Sequence, residues 1–324
     1  MKPTSLSISR RSALVALAPL LAPAAFAQSN QITRMLLSVS PGSGLDNAAR
    51  GTEQPLSSAL GRQIIVENLP GAGGLIGTNT LLRATPDGST ISMVSANHVI
   101  FPLVLKSAHF HPVNDFTMIA IAGNGTMVFV VNSKVPAKDA RELAALLKAN
   151  PERYNYASSG MGTILHLGFE LFLDEAGVRA KHIPYKGGSS MVTDLITGRC
   201  DMAVLAMAQA LPHLKSGALR AVGVSAEQRS ALMPDLPTLA EQGFPRTMVD
   251  AWFAVIGPKG IPAAEVARIN AALVKAFNSP EAQKVFGTIG ATIKVSSPEY
   301  AQKFMAAEFS KFGSLVKTIG LEPQ

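Results

Sequence analysis

The sequence is poor in cysteine, in aromatic residues and in charge. A single cysteine, Cys200, stands among 324 residues, which excludes an intramolecular disulfide framework and any metal site built from several thiolates. Aromatic residues make up 6% of the chain and charged residues 16%, whereas hydrophobic residues make up 47%. This composition excludes a disordered chain and provides ample material for a buried core.

Long hydrophobic runs are also missing after the N-terminal segment. No later stretch approaches the roughly 18 uninterrupted apolar residues of a membrane-spanning helix. We therefore expect the mature protein to be soluble.

Familiar metal and nucleophile motifs are absent. The chain has no H-E-x-x-H and no P-loop. His109 and His111 could place two imidazoles on one face of a strand, but no cluster of carboxylates or thiols stands near them in sequence, so we expect no metal site. Ser158 and Ser159 lack the G-x-S-x-G frame of a nucleophile elbow. These absences predict no catalytic residue.

One segment resembles a dinucleotide-binding turn. Gly42 and Gly44 follow a predicted strand and precede a predicted helix, and Glu67 stands about 20 residues further on. The third glycine position is occupied by Asn47, however, and Asp46 would place a carboxylate where a pyrophosphate should bind. We therefore predict no nucleotide cofactor.

The N-terminal segment, residues 1–27, predicts a cleaved export signal. A positively charged start precedes an apolar run that ends in an A-x-A site before Gln28. The pair Arg10-Arg11 is compatible with a twin-arginine signal, and the general export pathway stays open. Pro19 and Pro23 interrupt the run, which disfavours the alternative of a membrane anchor.

Cleavage changes how the charge is interpreted. The whole chain carries a formal charge of +7, and removing three basic residues with the signal leaves +4. The remaining bases are scattered rather than clustered with aromatic residues, so we predict no nucleic-acid partner. An exported, soluble and disulfide-free protein is expected in the periplasm of a Gram-negative bacterium.

Short apolar stretches alternate with helical patterns, which is typical of parallel βαβ units in an α/β protein. The length suggests two domains. No low-complexity linker separates them, so we expect the chain to cross between them near residues 122–127 and 248–254. We predict one domain from residues 28–125 plus 250–324 and a second from residues 126–249.

Two Gly- and Ser-rich turns, Ser40–Asp46 and Ser158–Thr163, each lie between a predicted strand and a predicted helix. The start of a helix presents unpaired N–H groups and a partial positive charge, and glycine lets a ligand approach the backbone closely. If the two turns face each other across a cleft, they can hold a small carboxylate without an arginine or a lysine.

Side chains in these turns can add to the binding. Ser43, Ser159 and Thr163 offer hydroxyl donors. Asp46 could accept a hydrogen bond from a ligand or could be an ordinary helix N-cap, and the sequence leaves both roles open.

The first turn belongs to a longer motif, G-S-G-L-D-N-A-A-R at 42–50, and E-N-L-P-G-A-G-G-L-I-G follows at 67–77. Further motifs are spread over nearly the whole mature chain: P-D-G at 86–88, Y-A-S-S-G-M-G-T at 156–163 with His166, P-Y-K-G at 184–187, L-P-T-L-A-E at 236–241, and Trp252. Together they resemble the Bug-type extracytoplasmic receptors of tripartite tricarboxylate transporters, whose patterns include G-G-x-x-D-x-x-A-R and E-N-x-P-G-A-G-G-x-x-G.

The resemblance implies a type II-like periplasmic-binding-protein fold. Such a fold has two domains with mixed sheets flanked by helices, and an interdomain cleft that closes over a small organic anion like a Venus flytrap. In that family the two Gly-rich turns hold the ligand carboxylate, partly through ordered water, with the acid of the first turn close by. The matching positions here are Ser43, Gly44, Asp46, Ser159, Gly160, Gly162 and Thr163.

Two positions depart from the family pattern. Ser43 stands where a second glycine is common, which adds a hydroxyl. After the predicted strand 201–205 the family often has a polar or acidic residue, whereas this chain has Ala206 and Met207. We include Met207 among the expected ligand contacts because it would suit a ligand with an apolar portion, and a simple core position is the other interpretation.

These inferences predict a non-enzymatic periplasmic receptor that captures a small carboxylate or related organic anion. Its expected partners are the permease subunits of a tripartite tricarboxylate-type transporter, and we expect it to act as a monomer without a cofactor. Two alternatives stay open, an exported enzyme acting on a small acid and an orphan sensor receptor that docks on a signalling protein. The ligand itself is not named by the sequence, because backbone N–H groups recognise a carboxylate and little else.

Overall fold

The computed structural model describes residues 32–71, 74–185, 187–249 and 251–323. The predicted export segment, residues 1–27, lies outside the described residues. The described strands form two mixed sheets with helices packed on their faces, which confirms the predicted α/β class.

The first sheet has six strands in the described part of the chain. They are β1 (Ile32–Leu37), β2 (Gln63–Asn68), β3 (Thr90–Ser95), β4 (Phe116–Gly125), β10 (Ala251–Pro258) and β11 (Ala291–Ile293). Their order is β11-β4-β10-β3-β1-β2. β1 runs parallel to β2 and β3, whereas β10 is antiparallel to both β3 and β4.

The second sheet has five strands in the described residues. They are β5 (Met127–Asn132), β6 (Asn155–Ser158), β7 (Lys181–Pro184), β8 (Met202–Ala206) and β9 (Leu219–Ser225), in the order β7-β6-β8-β5-β9. β6 is parallel to β7 and β8, and β5 is antiparallel to β8 and β9.

Helices connect most of these strands. They are α1 (Gly44–Leu60), α2 (Leu75–Leu82), α3 (Asn97–Val104), α4 (Ala140–Ala149), α5 (Ile164–Ala176), α6 (Gly188–Thr197), α7 (Met207–Lys215), α8 (Ala263–Phe277), α9 (Pro280–Thr288) and α10 (Pro298–Thr318). Among the residues that the structure describes, no helix combines the length and the apolar character needed to cross a bilayer.

The chain changes sheets at two places. β4 ends at Gly125 in the first sheet, and β5 begins at Met127 in the second. The return falls between Ser225 at the end of β9 and Ala251 at the start of β10. The strands of each sheet therefore lie within the residue ranges of the two predicted domains, while their independence as domains stays a prediction.

β1 shows how the sequence pattern builds the core. Met35 and Leu37 join the apolar cluster formed with α1 and α8, whereas Leu36 joins the cluster formed with α3 and α10. All three side chains are completely buried, as expected for a parallel strand covered on both faces. Each contributes about 1.5–3 kcal/mol through burial. The cluster around Leu36 continues to Phe129 and Phe169 of the second sheet and α5.

Trp252 fixes the long helix α10 on the returning strand β10. Its side chain is completely buried, its Nε1 donates to Glu308 Oε2 at 2.8 Å, and its ring meets Phe304 edge-on. Glu308 is itself buried, and its other oxygen lies 3.4 Å from Lys311 Nζ. The indole therefore supplies a donor to a carboxylate that solvent barely reaches.

Replacing Trp252 with Phe should lower the free energy of unfolding by about 2–3 kcal/mol, because the buried carboxylate loses a donor and the core loses volume. Urea denaturation measures the change. In the double variant W252F/E308L much of the loss should be recovered, since no carboxylate then remains to be satisfied. A loss below about 0.5 kcal/mol in W252F would refute this role.

Candidate functional site

The first Gly-rich turn follows β1 and opens α1. Ser43 is the N-cap, and its Oγ accepts from the Asp46 N–H at 3.2 Å. Asp46 is therefore the third residue of the helix, and its interpretation as the N-cap is wrong. The physical reason is that Ser43 has the extended backbone of a cap, which starts the helix at Gly44 rather than at 46.

Asp46 is buried and binds three groups of the protein. Its Oδ2 accepts from the Gly42 N–H at 2.8 Å, and its Oδ1 accepts from Asn68 Nδ2 at 2.9 Å and Arg50 Nε at 3.0 Å. Burial alone would raise the pKa of Asp46, but these hydrogen bonds and the Arg50 charge hold the pKa below its usual value. Arg50 also donates to Asn68 Oδ1, which closes a network at the base of the turn.

This network leaves the helix start open. Within the described residues, no group accepts a hydrogen bond from the backbone N–H of Gly44 or Leu45. A Cβ added at Gly44 would meet nothing within 4 Å. No described group of the protein therefore uses these two N–H groups at the positive end of a 17-residue helix, which suits an anion.

The second Gly-rich turn follows β6 and opens α5. Thr163 is the N-cap, and its Oγ1 accepts from the His166 N–H and donates to Gly160 O at 2.8 Å. The hydroxyl hydrogen of Thr163 is thus already used within the turn, contrary to the expectation that it is a spare donor. Ser158 Oγ also accepts from the Gly160 N–H at 3.2 Å. The turn is held largely by its own hydrogen bonds.

Two amides of this turn have no partner among the described residues, those of Ser159 and Met161. The Gly162 N–H, by contrast, donates to His166 Nδ1 at 3.0 Å. Gly162 is therefore a shape-determining position, while Ser159 keeps both its amide and its hydroxyl on a half-buried surface.

A contact between the starts of α3 and α5 brings the second turn to the edge of the first sheet. Asn97, the first residue of α3, accepts the Ile164 N–H on its Oδ1 at 2.9 Å. Further along α3, Val104 packs against Gly162 of the second turn. A Cβ added at Gly162 would lie only 2.3 Å from Val104 Cγ2. Because β3 precedes α3 and is parallel to β1, Asn97 and the first turn share one edge of the sheet.

The predicted contact at Met207 is buried in the structure. Met207 opens α7 directly after β8, and its side chain has no exposed surface. It packs in the core near Gly290, where an added Cβ would lie 3.4 Å from Met207 Cγ. Of the two roles that the sequence leaves open, this burial favours the core position.

Sequence reasoning missed Asn97, His182 and Glu170. Asn97 follows a strand directly, which is a signal for a side chain at the edge of a sheet, but its partner Ile164 is 67 residues away. His182 meets the turn only through the register of β6 and β7, which pairs it with Tyr156. Within the described residues, no group of three or more metal-binding side chains is present.

Comparisons with known proteins agree with this architecture. The pattern of the family described as "Tripartite tricarboxylate transporter family receptor" matches residues 48–321. Protein BugT of Bordetella pertussis is 31% identical over 289 residues, which cover 89% of each chain.

Solved structures agree as well. The periplasmic binding protein BugD is 28% identical with a TM-score of 0.83, covering 90% of this chain and 99% of its own. MatC from Rhodopseudomonas palustris, with bound malate, is 25% identical with a TM-score of 0.81, covering 88% of this chain and 99% of its own. The R. palustris protein Rpa4515, with adipate, is 27% identical with a TM-score of 0.84, covering 90% of this chain and 98% of its own.

These matches extend over nearly the whole described chain and confirm the predicted periplasmic-binding-protein fold. The family match begins within α1, so it includes most of that helix and all of the second Gly-rich turn, whereas β1 and the first turn precede it. The chain belongs to the receptor family of the tripartite tricarboxylate transporters, a family of solute-binding receptors that includes Bug proteins.

Proposed function

We propose that this chain is a periplasmic receptor that binds a small organic carboxylate between its two Gly-rich turns. The observation that carries the proposal is the pair of open helix starts, with the amides of Gly44 and Leu45 in one turn and of Ser159 and Met161 in the other. Structural relatives with bound malate and with adipate support a carboxylate as the ligand.

The chemistry of the turns favours a carboxylate over a cation or a sugar. Four backbone N–H donors and two helix dipoles stabilise negative charge without a lysine or an arginine. Arg50, the cation of the first turn, is already paired with Asp46 and Asn68. Backbone N–H groups bind the carboxylate and do not contact the rest of the ligand, so the walls of the cleft select the remainder of the molecule.

The two sheets, with residues 28–125 plus 250–324 on one side and 126–249 on the other, are proposed as two domains that close over the ligand. The closed state would be the one recognised by the membrane subunits of a tripartite transporter. The mature receptor acts as a monomer in this proposal, after export and cleavage before Gln28.

One pair of side chains invites comparison with a hydrolase. Ser158 Oγ lies 2.7 Å from His182 Nε2, the spacing of a nucleophile and its base. Ser158 is completely buried, however, and its Oγ also contacts both the N–H and the carbonyl of Gly160. A hydroxyl in this position cannot reach a bound ligand, so the pair supports the turn and favours binding over catalysis.

The test is a ligand screen on the mature chain that starts at Gln28. Thermal shift and calorimetry should detect at least one member of a panel of mono-, di- and tricarboxylates, including malate and adipate. A 100-fold excess over Kd stabilises the native state by about 2.7 kcal/mol, which raises Tm by several degrees.

Matched controls for this screen are the methyl esters and amides of the same acids, which keep the carbon chain and lose the charge. They should not bind. Mass spectrometry of the recovered ligand should show it unchanged. A panel without any binder, or steady conversion of the ligand to a product, would overturn the proposed function.

A further inference from the structure

Behind the second turn lies a layer of stacked rings that no ligand contact explains. The His166 and His182 rings stack with centroids 4.0 Å apart, and Tyr156 stacks on His182 at 4.8 Å. Tyr156 Oη donates to Glu170, which also lies 3.8 Å from His166 Nε2. His182 Nε2 is 2.7 Å from Ser158 Oγ. We call the group of His166, His182, Tyr156 and Glu170 the histidine layer.

Hydrogen bonding fixes which nitrogen of His166 carries its proton. Nδ1 accepts the Gly162 N–H at 3.0 Å, so Nδ1 must be unprotonated. A neutral imidazole then carries its hydrogen on Nε2, the atom that faces the Glu170 carboxylate. The geometry of the layer thus fits one neutral tautomer of His166.

The surroundings keep this imidazole uncharged. Burial, together with the neighbouring His182 ring, lowers the pKa of His166 to about 3, and burial lowers the pKa of His182 to about 4. Glu170 is the carboxylate of the layer, and burial raises its pKa despite the donation from Tyr156. A carboxyl with a raised pKa is more easily protonated, so Glu170 is a weaker negative partner for a protonated His166.

We propose that His166 is a positioning residue for the ligand, which acts by holding Gly162, and with it the amides of Ser159 and Met161, through an imidazole that must stay neutral. The ligand-dependent part of this inference rests on the proposed function. Protonation of Nδ1 would replace an acceptor with a second donor opposite the Gly162 N–H, so the turn would lose the bond that anchors it.

Glu170 connects the histidine layer to the protein surface, because its side chain is 29% exposed. Glu170 lines a surface pocket of about 640 Å³. The basic side chains Arg179 and Lys181 line the same pocket, and so do Glu152 and Asp174. Within the layer, Glu170 is therefore a group in reach of solvent, whereas His166 is buried.

The sharpest test compares His166→Asn with His166→Leu, two variants of nearly equal shape. The Asn side chain places an oxygen at the position of Nδ1 and cannot be protonated, whereas Leu offers no acceptor. Both variants lose the imidazole ring, so the difference between their affinities measures the effect of the hydrogen-bond acceptor alone. Affinity for malate and for adipate is measured by calorimetry at pH 7, and the Gly162 amide is followed by ¹⁵N NMR.

We expect H166N to bind within about threefold of the wild type and H166L to bind at least tenfold more weakly, in line with the loss of one buried hydrogen bond. In the wild type, the His166 ring at pH 7 should show a protonated Nε2 and an unprotonated Nδ1. Equal affinities of the two variants, or a protonated Nδ1 at pH 7, would overturn the proposal.

The pH profile supplies a readout that a merely structural role would not change. The pKa of His166 is lowered in the folded state, so the Gly162 amide signal of the wild type should stay constant from pH 8 to pH 5 and shift only below about pH 4.5. In H166N the acid shift should be absent. A wild-type Gly162 signal that titrates near pH 6.5, or an identical acid shift in H166N, contradicts the assignment.

These NMR readouts need no ligand. If neither malate nor adipate binds the wild type but Gly162 behaves as described, the proposed function is at fault and the role of His166 in holding the turn stands. If ligands bind well and Gly162 is indifferent to residue 166, the positioning role fails alone.

Discussion

Replacing Asp46 with Ala should weaken carboxylate binding by about 100-fold or more, although none of the hydrogen-bond partners of its side chain is an open amide. The carboxylate holds the Gly42 N–H on one side and Asn68 and Arg50 on the other. Without it, the turn that aims the Gly44 and Leu45 amides has no fixed base. A misplaced donor pair loses most of its value for an anion.

The same substitution should also destabilise the fold. Asp46 is only 2% exposed, and its loss leaves the Gly42 N–H and Arg50 Nε without their acceptor, while Asn68 Nδ2 keeps only Val39 O. Breaking such a buried network costs about 2–4 kcal/mol. Calorimetric titration gives the change in affinity, and urea denaturation gives the change in stability.

Two control variants separate the causes. Asp46→Asn keeps the shape and loses the charge, and we expect an intermediate affinity because one amide oxygen can still accept from Gly42. Glu67→Ala removes an exposed ion pair with Arg34 on the neighbouring strand. We expect this change to lower the free energy of unfolding by less than about 1 kcal/mol and to leave binding unchanged. Full affinity in D46A would show that the first turn does not depend on this network.

The second large effect is expected at Gly162. Its φ is +70°, and a Cβ there would lie 2.3 Å from Val104 Cγ2 on α3. Gly162→Ala should lower the free energy of unfolding by about 3–5 kcal/mol. Two effects add up, because an alanine in the left-handed conformation is strained and its Cβ clashes with Val104 and pushes α3 away from the second turn. Ligand binding should be lost with it, because α3 also holds the start of α5 through Asn97.

Gly61 provides a matched control for the strain of an alanine in the left-handed conformation. Its φ is +67° and an added Cβ meets nothing within 4 Å. Gly61→Ala should therefore cost only about 1–2 kcal/mol and leave binding unchanged. The double variant G162A/V104A removes the nearest clashing atom and should recover part of both stability and affinity. A G162A variant no worse than G61A would contradict the packing described here.

Much of the fold could be predicted from the sequence, because local patterns determine the elements. The sequence pattern predicts a helix from Ile164 to Ala176, and α5 has these bounds, since Thr163 caps its start and Gly177 adopts the left-handed conformation at its end. The pattern likewise predicts a helix from about Asp46 to Leu60 that Gly61 closes, and α1 ends at Leu60 but begins at Gly44. The choice between Ser43 and Asp46 as cap depends on backbone angles that composition does not reveal.

The site was harder to predict because its supports are distant in sequence. The two turns could be identified from strand–turn–helix order and from motifs that resemble the family. The hydrogen bond of Asn97 to Ile164 and the stacking of His166 on His182 depend on how sheets and helices meet in three dimensions. Whether Met207 belongs to the core or to the cleft likewise depended on the packing around α7.

A crystal structure of the mature protein with the tightest carboxylate of the panel would show whether the ligand binds at the two open helix starts. We predict that the carboxylate oxygens accept from Gly44 or Leu45 in the first turn and from Ser159 or Met161 in the second, directly or through one water. A carboxylate bound elsewhere, for example in the surface pocket beside Glu170, with these four amides solvated, would contradict this prediction.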